Sequence, residues 1–256
     1  MLMKKLFLFF LLITLATPAV AAELSGRDIM QRSFDRDDGT DSFVLTKMVL
    51  IDKNGSRRER LVEMYTKDYD ALRKGYIEFL EPADIEGTAF LSWENEGGKD
   101  DTQYLYLPAL GRARRIVSSQ QDLRFVNTDF TYEDMQRRRP SEDTHTRLQD
   151  DTFEGHDCYV VKSIPREDNS QYAKRIHWVD KQSLIIVRTL FYNAKGKLVK
   201  EFRVNELDKV DGYWTALTTT MIDYQDDHKT VLDAVEVKYD QGLDDTLFTR
   251  RQFQAR

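Results

Sequence analysis

Apolar positions recur at every second residue over much of the chain, in short runs separated by turn-forming residues, which is the period of β-strands. The pattern predicts about twelve strands, at 43–51, 61–69, 71–80, 88–93, 103–107, 144–151, 157–164, 174–180, 184–193, 197–207, 213–223 and 230–240. Lys53-Asn54-Gly55-Ser56 carries the Asn-Gly pair of a tight hairpin, and Asp211-Gly212 and Lys195-Gly196 mark later turns. The regular spacing from Thr144 to Tyr239 predicts an antiparallel meander. Leu198, Phe202 and Val204 mark one face of it, as do Val231, Val235 and Val237, while Glu201, Arg203, Asn205, Glu236 and Lys238 fall on the other. One face is therefore expected dry and one wet.

Helical signals are few. Ser25 followed by Asp28 resembles a capping box and predicts a short helix over 24–33, with Ile29 and Met30 on its apolar side. Asp129 to Gln136 predicts a second short helix capped by Asp129, and Asp244 to Phe248 a terminal one. Arg137, Arg138 and Arg139 fall at the end of the second, where cations favour the helix dipole. Pro108 and Gly111 bracket an expected tight loop carrying Arg112, Arg114 and Arg115. Two or three short helices do not cover a wide sheet. The expected fold is mainly β, a single curved antiparallel sheet forming an open half-barrel with the helices as plug or lid and an apolar, incompletely filled interior. A closed β-sandwich gives a similar alternation.

The first residues follow another rule. Lys4 and Lys5 precede an apolar run from Leu6 to Ala16, then Pro18 and the small residues Ala19 to Ala22. This is the layout of a secretory signal peptide, with cleavage expected after Ala22 and Ala21 as the alternative. An uncleaved anchor is the competing reading, but the run is about half the length a bilayer demands. Lipid anchoring needs a cysteine just after the cut, and the only cysteine is Cys158, in an apolar strand. The expected organisation is a signal peptide over 1–22 and one domain over 23–256, soluble and periplasmic.

Composition narrows the chemistry. The chain is 41% apolar and 32% charged with a net charge of −6, values of a folded globular domain. Acidity and export both disfavour nucleic acid as a partner. No Gly-x-Ser-x-Gly elbow, glycine-rich phosphate loop or His-Glu-x-x-His motif occurs, and His145, His156, His177 and His228 are scattered. No catalytic residue, metal site or cofactor is expected.

Gly87-Thr88-Ala89-Phe90-Leu91-Ser92-Trp93-Glu94-Asn95 is followed by Gln103-Tyr104-Leu105-Tyr106-Leu107-Pro108-Ala109-Leu110-Gly111-Arg112, then by Arg115-Ile116 and Asp129-Phe130-Thr131-Tyr132-Glu133-Asp134. This succession resembles the LolA-like family of outer membrane lipoprotein-sorting proteins. The resemblance implies a curved half-barrel with a helical lid and a hydrophobic cavity for acyl chains of a lipid or lipoprotein. It also implies an inner-membrane lipid exporter and an outer-membrane acceptor as partners, and it leaves the cargo open. Candidate acyl contacts in this stretch are Trp93, Tyr104, Tyr106, Leu107, Pro108, Phe125, Phe130, Tyr132 and Met135, with core packing as the competing role. Arg112 and Arg115 are candidates for a lipid headgroup, with a solvated turn as the competing role; guanidinium offers phosphate a planar fork of donors. Two other classes stay open: a lipid hydrolase using the same cavity, and a non-transporting interaction module of the cell envelope.

Overall fold

The computed structural model describes residues 23–254, so the expected signal peptide lies outside the described residues. The chain starts with helix α1 (Gly26–Phe34). Its first turn is closed by the expected box: the Asp28 amide donates to Ser25 Oγ at 3.2 Å, and the Asp28 carboxylate accepts from the Ser25 amide at 3.1 Å. Ile29 is fully buried against Val161 and Val179. A Cβ at Gly26 would lie 2.7 Å from the Arg147 amide nitrogen, so only glycine lets α1 sit this close to the sheet.

The first meander comprises β1 (Asp41–Ile51), β2 (Arg57–Tyr69), β3 (Leu72–Glu81), β4 (Ala89–Trp93), β5 (Thr102–Leu107) and β6 (Arg112–Ile116). The second comprises β7 (Asp143–Arg147), β8 (Asp151–Phe153), β9 (His156–Pro165), β10 (Lys174–Asp180), β11 (Ile186–Tyr192), β12 (Leu198–Val210), β13 (Tyr213–Asp223) and β14 (His228–Tyr239). They form one 14-stranded antiparallel sheet in the order β6-β5-β4-β3-β2-β1-β14-β13-β12-β11-β10-β9-β7, with β8 paired to β9. Pairing of β1 with β14 joins the meanders, Val49 opposite Val231. The sheet is curved and open, with β6 and β7 as its edges.

Three expectations change. The loop expected to carry Arg112 and Arg115 is edge strand β6, paired with β5 through Leu107 and Arg112. The strand expected over 144–151 divides into β7 and β8. The helix expected over 129–136 is absent, because its amides are committed elsewhere: Tyr132 donates to the Leu123 carbonyl and Glu133 to that of Gln121. The Asp129 carboxylate caps nothing, and instead accepts from the Thr230 hydroxyl at 2.7 Å.

The two meanders pack differently. Alternation in the first buries both faces. Phe79, Phe90, Leu105 and Ile116 point to the inner face, where Phe125 and Tyr132 fill the space above them. Tyr76, Leu91, Tyr104 and Tyr106 point outward and are covered by Phe248 and Phe253 of the C-terminal segment, which ends in α2 (Arg250–Gln254). The turn over Asp245–Phe248 is capped by Asp244, close to where the terminal helix is expected. In the second meander the expected wet face is not uniformly wet. Glu201 is 1% exposed, its carboxylate held by Arg188, Arg203 and the Tyr224 hydroxyl. Val235, expected on the dry face, is exposed.

Candidate ligand-binding site

Strand register builds the floor of the site. Residues paired across antiparallel strands share a face. One such row crosses five neighbouring strands as Ser163, Arg175, Phe191, Lys200 and Asp223. The next row runs Val161, His177, Thr189, Phe202 and Met221. The inner face of the second meander is thus a mosaic of aromatic and thioether groups with buried cations and hydroxyls. Over it lie α1 and the segment 129–143, leaving a cavity of about 360 Å³. Phe130, Ile186, Phe191, Phe202 and Met221 give the cavity its apolar lining, and Met30 and Phe34 of α1 close one side.

The covering segment is held by buried charge. Glu133 accepts from Arg175 Nη2 at 2.5 Å, with the two side chains 8% and 7% exposed. Asp134 accepts from Lys200 Nζ at 3.1 Å, both 5% exposed, and from the Tyr172 hydroxyl at 3.0 Å. The oxygen facing Lys200 also accepts from the Thr131 amide at 2.8 Å, closing a local turn. Charges removed from water persist only when paired and hydrogen-bonded, so these acids locate the segment over the floor. At its start Asp129 faces His228 Nδ1 at 2.7 Å.

The arginine run has the same stapling role, with no helix dipole to serve. Arg137 donates to the Phe34 carbonyl at 2.6 Å, and its guanidinium lies 3.8 Å above the Phe34 ring. Arg138 pairs with Asp143 at 2.7 Å. Arg139 approaches the buried Glu94 at 3.7 Å. Burial holds Glu94 above its ordinary range, opposed by Arg137 and Arg139. Burial, with Glu94 and Glu142 nearby, pushes Asp101 of the cavity rim up to about 7. Burial beside Arg175 pushes His177 down to about 3, so that imidazole is neutral. Its Nδ1 sits 2.9 Å from the Thr189 hydroxyl.

The candidates of the 87–135 stretch fall into four groups. Phe130 lines the cavity. Phe125 and Tyr132 are each 2% exposed, packed on Phe90 with ring centroids 5.1 and 6.0 Å away. Met135 and Leu107 pack against the same cluster. Trp93, Tyr104 and Tyr106 lie on the outer face under the C-terminal segment, where Trp93 Nε1 donates to the Phe248 carbonyl at 2.8 Å. Pro108 abuts Gly87, and Arg112 and Arg115 are exposed on β6. Sequence reasoning missed Arg175, His177, Thr189 and the aromatic floor of the second meander. The available signal was Arg175 and His177 set among Ile176, Trp178 and Val179 in one strand.

A family model described as an uncharacterized protein matches residues 71–255. A search of curated proteins finds no match. Among solved structures, a DUF1329 family protein from Desulfovibrio piger is 29% identical, with a TM-score of 0.85 over 89% of this chain and 97% of its own. A domain designated as an outer membrane lipoprotein-sorting protein from Vibrio parahaemolyticus is 31% identical, with a TM-score of 0.83 over 90% of this chain and 98% of its own. A LolA superfamily protein from Nitrosomonas europaea, 18% identical, shares the fold with a TM-score of 0.68 over 90% of this chain and 99% of its own.

Proposed function

This chain belongs to the outer membrane lipoprotein-sorting family of LolA-like proteins, and from that premise we propose that it is a periplasmic carrier of acyl chains. The cargo is a lipid or a lipoprotein, received from an inner-membrane donor and passed towards the outer membrane. An acyl chain crossing water costs about 0.8 kcal/mol per exposed methylene, on the order of 10 kcal/mol for a chain of membrane length. A soluble wrapper with an apolar hollow removes that cost and has no need of a catalytic group.

The observation that carries this reading is the cavity floored by Phe191, Phe202 and Met221 beneath a covering segment. Its volume of about 360 Å³ lies in the lower part of the range for sites that take one small ligand, roughly 300–1,000 Å³. That size suits one acyl chain better than several. Aromatic and thioether linings adapt to chains of different shape.

Two measurements test the proposal. Native mass spectrometry after gentle purification should show a co-purified lipid, and the emptied protein should take up a fluorescent fatty acid. Ile186→Trp, which adds bulk at a half-buried lining position, should weaken that uptake about tenfold or more without unfolding the protein. A protein that neither retains nor takes up an acyl ligand refutes the reading.

A further inference from the structure

Buried polar groups ordinarily find partners, so one left without any calls for explanation. Arg175 is such a case. Its side chain is 7% exposed, and Nη2 is engaged by Glu133 and by Ser170 Oγ at 3.0 Å. Its Nη1 is buried and has no acceptor among the described residues. The residue lines the cavity, and Tyr172 lies under its guanidinium with the ring centroid 5.0 Å away. Two other lining residues repeat the pattern: Arg36 Nε and Gln136 Nε2 are also buried without acceptors among the described residues. All three orphan groups are N–H donors, and they come from three separate parts of the chain. A lining that offers unmatched donors beside an aromatic floor fits a guest that brings oxygen acceptors together with apolar surface.

We propose that Arg175 is the centre of a buried oxyanion subsite, which takes the carboxylate or phosphate end of an amphiphile into the cavity while its chain lies on Phe191, Phe202 and Met221. Half of the guanidinium fork is already fixed by Glu133, so the free half is oriented before the ligand arrives. A guanidinium so held is suited to a planar or tetrahedral oxyanion. The inference rests on the carrier reading and adds a chemical demand to it: affinity depends on the charged end as well as on the chain.

The test compares dodecyl phosphate, dodecanol and inorganic phosphate by calorimetric titration of the emptied protein. Wild type should bind dodecyl phosphate about tenfold or more tighter than dodecanol, the scale of one hydrogen bond to a charged group. Arg175→Gln should bring the two within about twofold of each other. Loss of the Glu133 pair can unfold that variant, so Glu133→Gln serves as the second. It retains Arg175 and removes its competing carboxylate, and should tighten dodecyl phosphate relative to dodecanol, a gain that misfolding does not mimic. Equal binding of the two amphiphiles by wild type, or a preference that survives Arg175→Gln, overturns the subsite and leaves the carrier reading intact. Binding of inorganic phosphate alone, lost in Arg175→Gln, with neither amphiphile bound, keeps the subsite for a free anion and overturns the carrier reading. No binding of any of the three overturns both.

Discussion

Replacing Asp134 by asparagine tests whether buried charge holds the covering segment down. The carboxylate faces Lys200 at 3.1 Å, and both side chains are 5% exposed. Asparagine keeps the shape and can still accept from the Tyr172 hydroxyl. What it removes is the counter-charge, leaving the Lys200 ammonium buried with the Tyr172 ring, 5.8 Å from its Nζ, as a remaining cation-π contact. Breaking a buried pair from one side costs about 3–5 kcal/mol. For a chain of this size each kcal/mol moves the melting midpoint by about 2–4 °C, so the variant should melt roughly 6–20 °C lower. Urea unfolding followed by tryptophan emission measures the free energy directly, provided the transition is two-state. The double variant Asp134→Asn/Lys200→Met supplies the control. Removing both charges from a buried pair is often close to neutral, so the double variant should regain most of the loss. A single variant within about 1 kcal/mol of wild type, or a double variant no more stable than the single, would refute the reasoning.

Two further perturbations address the cavity rim and the one thiol. Asp101, pushed up to about 7 by burial with Glu94 and Glu142 nearby, keeps a proton in the folded state that the unfolded chain releases near pH 4. Between those values the folded state binds more protons, so stability falls as pH rises from about 4 to 7. Asp101→Asn should leave the melting temperature near pH 3.5 almost unchanged and raise it at pH 8; the same difference at both pH values refutes the assignment. Cys158 is fully buried, and burial raises its thiol to about 11. Ellman's reagent should leave it unmodified in the native protein and label it fully in denaturant; rapid native labelling would show that the strand opens.

The strands of the first meander were legible because both of their faces are apolar. Phe90 and Leu91, or Tyr104 and Leu105, declare a buried strand whichever side they take. Capping at Ser25 and Asp28 was legible because it is local. The cavity was not. Arg175 and His177 alternate with Ile176 and Trp178, so periodicity assigns them to solvent; the acid that neutralises Arg175 comes from Glu133, far away in the chain. Segment 129–136 misled for the same reason. Its composition suits a helix, but its amides find carbonyls at Gln121 and Leu123 that no local pattern reveals.

The contrast between the meanders also explains where a hollow can exist. On the inner face of the first, Phe125 and Tyr132 descend into a mainly apolar surface and pack it shut, as close packing favours, and its buried Gln103 and Arg60 donate to the carbonyls of Tyr132 and Val126. On the second, the row through Ser163, Arg175, Lys200 and Asp223 demands polar partners at fixed positions. Glu133 and Asp134 pair with the two cations of that row and thereby hold their own segment at the height that ion-pair geometry sets. Phe130 of the segment packs against the Phe191 and Met221 cluster, while the salt bridges at Glu133 and Asp134 keep the rest of the segment from following it down. The space beneath it follows from that competition: the charges set into a greasy interior are what keep it from closing.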